Sequence, residues 1–178
     1  MRRYEKQLKI KFPGCKYVLT YTLDDLEDEI HVIQDGQNVL IHVLGNDSKN
    51  ICKLKFKSGA AKEKDLKKML KRFFAVVQKI KEEHPNIHIF ISSCLPRFDG
   101  LDKLYNTLSG PEFVNAVVAK QYQNCKNVTL IHNVGMKEKY YDDDKYHLSS
   151  LGFERVMSHW AAAIGKVTVF LDLALGNS

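Results

Sequence analysis

The sequence predicts an α/β protein: a three-layer α/β/α sandwich whose mostly parallel sheet is covered by helices on both faces. Three observations carry that prediction. Short apolar runs recur at 39–44 (VLIHVL), 87–93 (IHIFISS) and 128–132 (VTLIH). They read as short strands, the first of them buried on both faces. Amphipathic segments of helical period separate them, and strands alternating with helices build a parallel sheet. With 178 residues, 44% hydrophobic and 27% charged, the chain suffices for one domain, 1–178, with a sizeable core.

Taken in order, residues 1–11 read as the end of a helix, FPGC (12–15) as a turn and KYVLTY (16–21) as a short strand. Thr22 fits a helix N-cap, with Leu23, Leu26, Ile30 and Ile33 at helical spacing behind it. DGQN (35–38) turns the chain into the 39–44 strand, and a long loop beginning with GNDSKN follows. Leu66, Met69, Leu70, Phe73, Phe74, Val77 and Ile80 then form one stripe along a helix over 61–83. HPN (84–86) ends it before the 87–93 strand. Residues 94–110 read as a loop, and Pro111 suits the first position of a helix over 111–124. After the 128–132 strand comes a second long loop, 133–149, and a helix to about 164. The tail, KVTVFLDLALGNS, is apolar and partly β-branched and reads as one more strand.

Composition removes several function classes. No run approaches the ~18 apolar residues of a membrane span, and MRRYEKQLKIK lacks the apolar core of a secretory signal. Cys15, Cys52, Cys94 and Cys125 form no CxxC pair, which argues against a zinc site and a disulfide framework. Reduced thiols and a cytoplasmic or nuclear setting are the default expectation. The net charge of +6 is uneven, with twelve Lys or Arg from Lys49 to Lys81 against Glu63 and Asp65. If Lys53, Lys55, Lys57, Lys62, Lys67, Lys68, Lys71 and Arg72 formed one surface, they could track the phosphates of a nucleic acid. The plainer reading is the polar face of a helix. It is favoured because no aromatic residues are interleaved for base stacking.

In open α/β sheets, ligands bind beyond the carboxyl ends of the strands, so loops that follow strands are informative. Asn46 and Asp47 lie just after the 39–44 strand, and Asp144 and His147 lie on the 133–149 loop in YDDDKYHLSSLG. A histidine can act as a general base, and a nearby carboxylate fixes its tautomer and balances the imidazolium. An asparagine amide can donate to a developing oxyanion. Asp47 serves equally well as a helix or turn cap, and Asp142 and Asp143 read as solvated charge.

Those blocks, VLIHVLGND, HIFISSCLPR and YDDDKYHLSSLGFERV, resemble the SGNH (GDSL-type) hydrolase family in order and spacing. The resemblance covers about residues 12–164, and its specific part is Asp144, His147, Leu148, Ser149 and Gly152. It implies a flavodoxin-like fold with strand order 2-1-3-4-5 and cleavage of small acyl or acetyl esters without a cofactor. His147 would be the base, Asp144 its partner, and Asn46 an oxyanion donor. The second block would put Thr20 at the other oxyanion position, where the family has glycine. A family glycine before Asn46 and Asp47 is replaced by Leu44.

The family's nucleophile is a serine in Gly-Asp-Ser after the first strand, and nothing before Arg2 can hold either. An esterase-like domain that is inactive or incomplete as this chain is therefore expected. The alternative is a non-catalytic binding module using the basic 49–81 region for RNA or another anionic partner. The first strand belongs in the middle of the sheet, where unpaired backbone groups cost ~1–3 kcal/mol each. So the chain is a fragment, or the neighbouring strands close up, or something fills the slot. Residues 167–175 are the candidate filler, and would carry Ser178 of Gly176-Asn177-Ser178 toward His147. Cys94, after Ser92 and Ser93, is a weaker substitute nucleophile. His42 reads as a core histidine, and His84 and His88 lack a third metal ligand.

Overall fold

A computed structural model describes residues 5–13, 22–35, 38–105 and 108–175, with side chains from 6 to 165 within those spans. The KYVLTY strand, Thr20 and Ser178 fall outside the described residues. The elements run α1 (Glu5–Lys11), α2 (Leu23–Glu29), a 3-10 turn (Ile30–Val32), β1 (Val39–Ile41), α3 (Gly45–Cys52) and α4 (Gly59–Glu83). Then come β2 (Ile89–Ser92), β3 (Lys103–Tyr105), β4 (Leu108–Ser109), α5 (Gly110–Tyr122), β5 (Val128–Ile131), a 3-10 turn (Glu138–Tyr140) and α6 (Ser150–Leu175).

The chain is an α/β protein built on a parallel sheet of order β1-β2-β5. Register is fixed by the pairs Val39–Ile89, Ile41–Ile91, Ile89–Val128 and Ser92–Ile131. Because side chains alternate across a strand, β2 serves two cores. Ile89 and Ile91 join Leu66, Phe73 and Val77 of α4 and Val114 of α5. Phe90 joins Leu8 of α1 and Phe153, Val156 and Trp160 of α6. The stripe read along α4 is its buried face from Leu66 to Ile80, except that Phe74 is half-buried and Val76, outside the stripe as read, is buried. Two helices, α2 and α5, are capped by their own sequences. Thr22 and Asp25 form a capping box on α2, and Ser109 and Glu112 one on α5, behind Pro111. Arg72 of α4 reaches Asp24 and Glu27 of α2 at 2.6 and 2.7 Å and ties the two helices together.

Three expectations need correction. The stretch GNDSKN is not loop but the start of α3. The 94–110 segment contains the antiparallel β3–β4 pair. The tail is not a strand: α6 continues through residues 165–175, so the sheet's first-strand slot is not filled by 167–175. A helix already nucleated at 150 extends one residue at a time at little cost. An apolar run this short carries no period that would tell strand from helix.

One buried polar cluster ties the sheet to α6. Ser92 Oγ accepts the Trp160 Nε1–H at 2.8 Å and an Asn133 Nδ2–H at 2.9 Å. With two donors on its oxygen, the hydroxyl gives its own proton to His42 Nδ1, 2.9 Å away. His42 must therefore be neutral, and burial pushes its pKa down to about 4. Unfolding returns the imidazole to the ordinary value near 6.5. Between those values the unfolded chain binds the additional proton, so stability rises with pH from about 4 to about 6.5 and then ceases to depend on this group. The loss by the acid end amounts to about 3 kcal/mol at most. Burial lowers His88 and His159 as well, adding in the same sense. Urea midpoints measured across this range should fall steadily toward acid, and constant midpoints would contradict the assignment.

Candidate active site

Asn46 and the Asp144–His147 pair are delivered to the carboxyl edge of the sheet by different local devices. After β1 the chain reverses through Leu44, whose φ of 74° is left-handed. A left-handed backbone of this kind is one that glycine adopts readily, and here a leucine adopts it. It does so because its side chain is buried among the α4-side core residues, only 3% exposed. Burial of a leucine is worth ~1.5–3 kcal/mol, against ~1–2 kcal/mol for the left-handed backbone. Leu44→Gly relieves that strain, so it should destabilise by ~1–2 kcal/mol less than the ~2–5 kcal/mol typical of truncating a buried leucine. Denaturant titration reads the difference.

The turn launches α3, with Asn46 and Asp47 in its first turn. Asp47 does not face the histidine. Both its carboxylate oxygens accept the Leu23 N–H at 3.2 Å, so it caps the neighbouring helix α2. Burial holds its carboxyl above the ordinary value, with that N–H opposing.

The 133–149 loop is an ordered hairpin. Tyr141 and Leu148 form an antiparallel bridge, Asp142 N donates to His147 O at 2.8 Å, and Lys145 at φ 57° makes the bend. Asp144 sits at the tip and folds over its own backbone, with Oδ1 accepting Tyr146 N at 2.9 Å and His147 N at 2.8 Å. Its other oxygen takes the His147 Nδ1 proton. The two backbone and side-chain bonds from His147, then the Tyr146 N–H, hold the Asp144 carboxyl far below the usual carboxylate range. With Nδ1–H engaged, Nε2 is the free basic nitrogen. The His147 side chain is 66% exposed, so it is open to a substrate and the pair adds little to stability. The segment before β3 clamps the hairpin: Tyr141 Oη donates to Pro96 O at 2.6 Å and Phe98 N to Lys145 O at 3.1 Å.

Tyr146 joins the two halves. Its hydroxyl donates to Asn46 Oδ1, and its ring centre lies 4.4 Å from that of His147. That bond occupies the amide oxygen, so donation, which is the role of an oxyanion donor, falls to the NH₂ group. Arg97 and Lys49 lie 3.6 and 3.8 Å from the Tyr146 ring centre. At those distances each must sit near the ring axis, so the two cations occupy opposite faces. Arg97 is held by Asp99 through Nε and Nη2, while its Nη1 is buried without a hydrogen-bond partner. Burial first, and Arg97 second, lower the pKa of Lys49.

The remaining candidates separate from this edge. Cys94 is buried, its thiol pushed up to about 12 by burial, and its Sγ faces Val43 O at 3.8 Å, which leaves no thiolate for attack. Ser92 and His42 serve the buried cluster, and Ser93 Oγ accepts Asn133 N at 3.0 Å. His88 binds Thr129, and His84 binds Asp35. Among the described residues no group of three His, Cys, Asp or Glu could hold a metal, and no helix is long and apolar enough to cross a membrane. The basic stretch is partly neutralised: Lys57 pairs with Asp65, Lys67 with Glu63, and Arg72 with α2. Tyr146, Lys49 and Arg97 were not legible as site residues. They are brought together only by the fold, Tyr146 and Asn46 being 100 positions apart. No family model matches the chain, and no curated protein matches its sequence.

Proposed function

We propose that the chain carries the base and oxyanion-binding part of an SGNH-type ester hydrolase site on a flavodoxin-like scaffold. The substrate class is a small acyl ester and no cofactor takes part. One observation carries this reading: Asp144, His147, Tyr146 and Asn46 form a continuous contact chain at the carboxyl edge of a parallel sheet. The parallel order β1-β2-β5 supports it, since it corresponds to the 3-4-5 portion of the family's sheet.

In this reading Asp144 orients the imidazole, Nε2 of His147 takes a proton from the attacking group, and the Asn46 amide stabilises the oxyanion. Among the described residues no hydroxyl or thiol is hydrogen-bonded to His147. A covalent acyl intermediate needs such a group. With the described residues alone, the base delivers water directly to an activated ester. The ion pairs within the 49–81 stretch give the nucleic-acid alternative less support.

The test is hydrolysis of 4-nitrophenyl acetate by the 178-residue chain, followed from the first milliseconds. A steady rate above buffer, without an initial burst, is expected. A rate no faster than buffer overturns the reading. A burst, with the acylated residue mapped by mass spectrometry, would replace direct water attack with a nucleophile from outside the described residues.

A further inference from the structure

Charge around Tyr146 does not cancel. Two cations, Lys49 and Arg97, lie against its ring, and Lys53 adds its positive charge to the field at Lys49. Two carboxylates, Asp99 and Asp144, act on Lys49 in the opposite sense. Both are already committed. Asp99 accepts Arg97 Nε and Nη2 and the Leu101 N–H. Asp144 accepts the His147 imidazole and two backbone N–H groups. Lys49 makes no ion pair among the described residues. Its ammonium instead lies partly buried against the phenol ring, 3.8 Å from the ring centre. An ammonium gives up hydration there without gaining a counter-ion. The ring it covers is the one that touches Asn46 and His147.

We propose that Lys49 is the anchor for an anionic group on the ester, so that the preferred substrates are acyl esters bearing a carboxylate. Arg97, fixed by Asp99 on the opposite face of Tyr146, holds the ring in place and adds to the positive field. The carboxylate binds at the Lys49 ammonium, beside the ring whose hydroxyl holds Asn46, so the ester carbonyl reaches the oxyanion position while the charge stays on the lysine. The inference rests on the ester-hydrolase reading for the identity of the reacting group, but not for the binding of the anion.

The anion can belong to the acyl or the alcohol portion, and three small esters separate the cases. Monomethyl succinate carries its carboxylate on the acyl side, acetoxyacetate carries it on the alcohol side, and methyl acetate is neutral. Each is titrated into the ¹⁵N-labelled chain at low salt, following the amide signals of Asn46, Lys49, Tyr146 and His147. At least one charged ester should bind about tenfold more tightly than methyl acetate, the scale of one incompletely screened ion pair. Lys49→Gln should abolish that preference and Lys49→Arg should retain it, with the rest of the spectrum unchanged in both. Equal affinity for all three esters, or a preference that survives Lys49→Gln, overturns the proposal. Charge preference without hydrolysis of 4-nitrophenyl acetate would support the anion site and count against the hydrolase. Hydrolysis with no charge preference would do the reverse.

Discussion

His147→Ala should lower the hydrolysis of 4-nitrophenyl acetate by at least about 10²-fold, the low end of what a positioned general base contributes. The fold should be nearly untouched. The His147 side chain is two-thirds exposed, at 66%, and exposed pairs are worth at most ~1 kcal/mol. Asp144→Asn is the informative companion. It keeps an oxygen for the Tyr146 and His147 backbone N–H groups but cannot compensate an imidazolium, so the hairpin should persist while the rate falls. Asn46→Ala should cost about 10²-fold, as loss of a single oxyanion donor does. Combining it with His147→Ala should cost much less than the product of the two, because both act on one step. Initial rates on folded variants, checked by circular dichroism, decide the matter. An alanine at 147 that leaves the rate unchanged removes the histidine from the chemistry.

Gly152→Ala should be the most damaging alanine substitution among the described glycines. A Cβ at this position would lie 1.9 Å from the Tyr140 carbonyl oxygen, closer than any non-bonded contact allows. The obstacle is backbone, which cannot rotate aside. That carbonyl also accepts the Ser149 N–H at 3.0 Å, and Ser149 Oγ accepts the Gly152 N–H at 3.2 Å. Relief of the clash must break the joint between the hairpin and α6. A loss of at least ~3 kcal/mol is expected, at the upper end for overpacking, and the proposed hydrolysis should be lost in parallel. Gly165→Ala is the control. It lies in the same helix with nothing within 4 Å of its added carbon, and should stabilise by ~0.5–1 kcal/mol. Thermal unfolding of the two variants should move in opposite directions, and equal behaviour would refute the steric account.

The Gly152 contact also explains why one motif was readable. Asp144, His147, Ser149 and Gly152 are neighbours in sequence and act as one local unit, so their spacing carries the geometry. The α4 stripe was readable for a similar reason: apolar residues recurring at helical spacing over about four turns leave little choice of face. Other features lie beyond local reading. GNDSKNIC is rich in turn-forming residues. It becomes helix because Leu44 buries its side chain, Ser48 donates to Gly45 O at 3.0 Å and Asp47 engages α2. Tyr146 fills an unspecified position of the Asp-x-x-His pattern, and its value comes from partners on α3 and on the segment before β3. The tail reading failed because β-branched residues bias a run toward strand only when no helix is already in place to recruit them.

The cluster around Ser92 has an optical consequence. Trp160 is the single tryptophan of the chain, so all indole emission comes from one buried ring. That ring is hydrogen-bonded to the end of β2 and lies 5.4 Å from the His42 imidazole. A protonated imidazole at van der Waals range quenches an excited indole, whereas a neutral one does so weakly. Emission intensity therefore follows the proton on His42, while emission wavelength follows the opening of the sheet against α6. The protein carries a two-channel fluorophore, with no label needed to watch acid titration and unfolding as separate events.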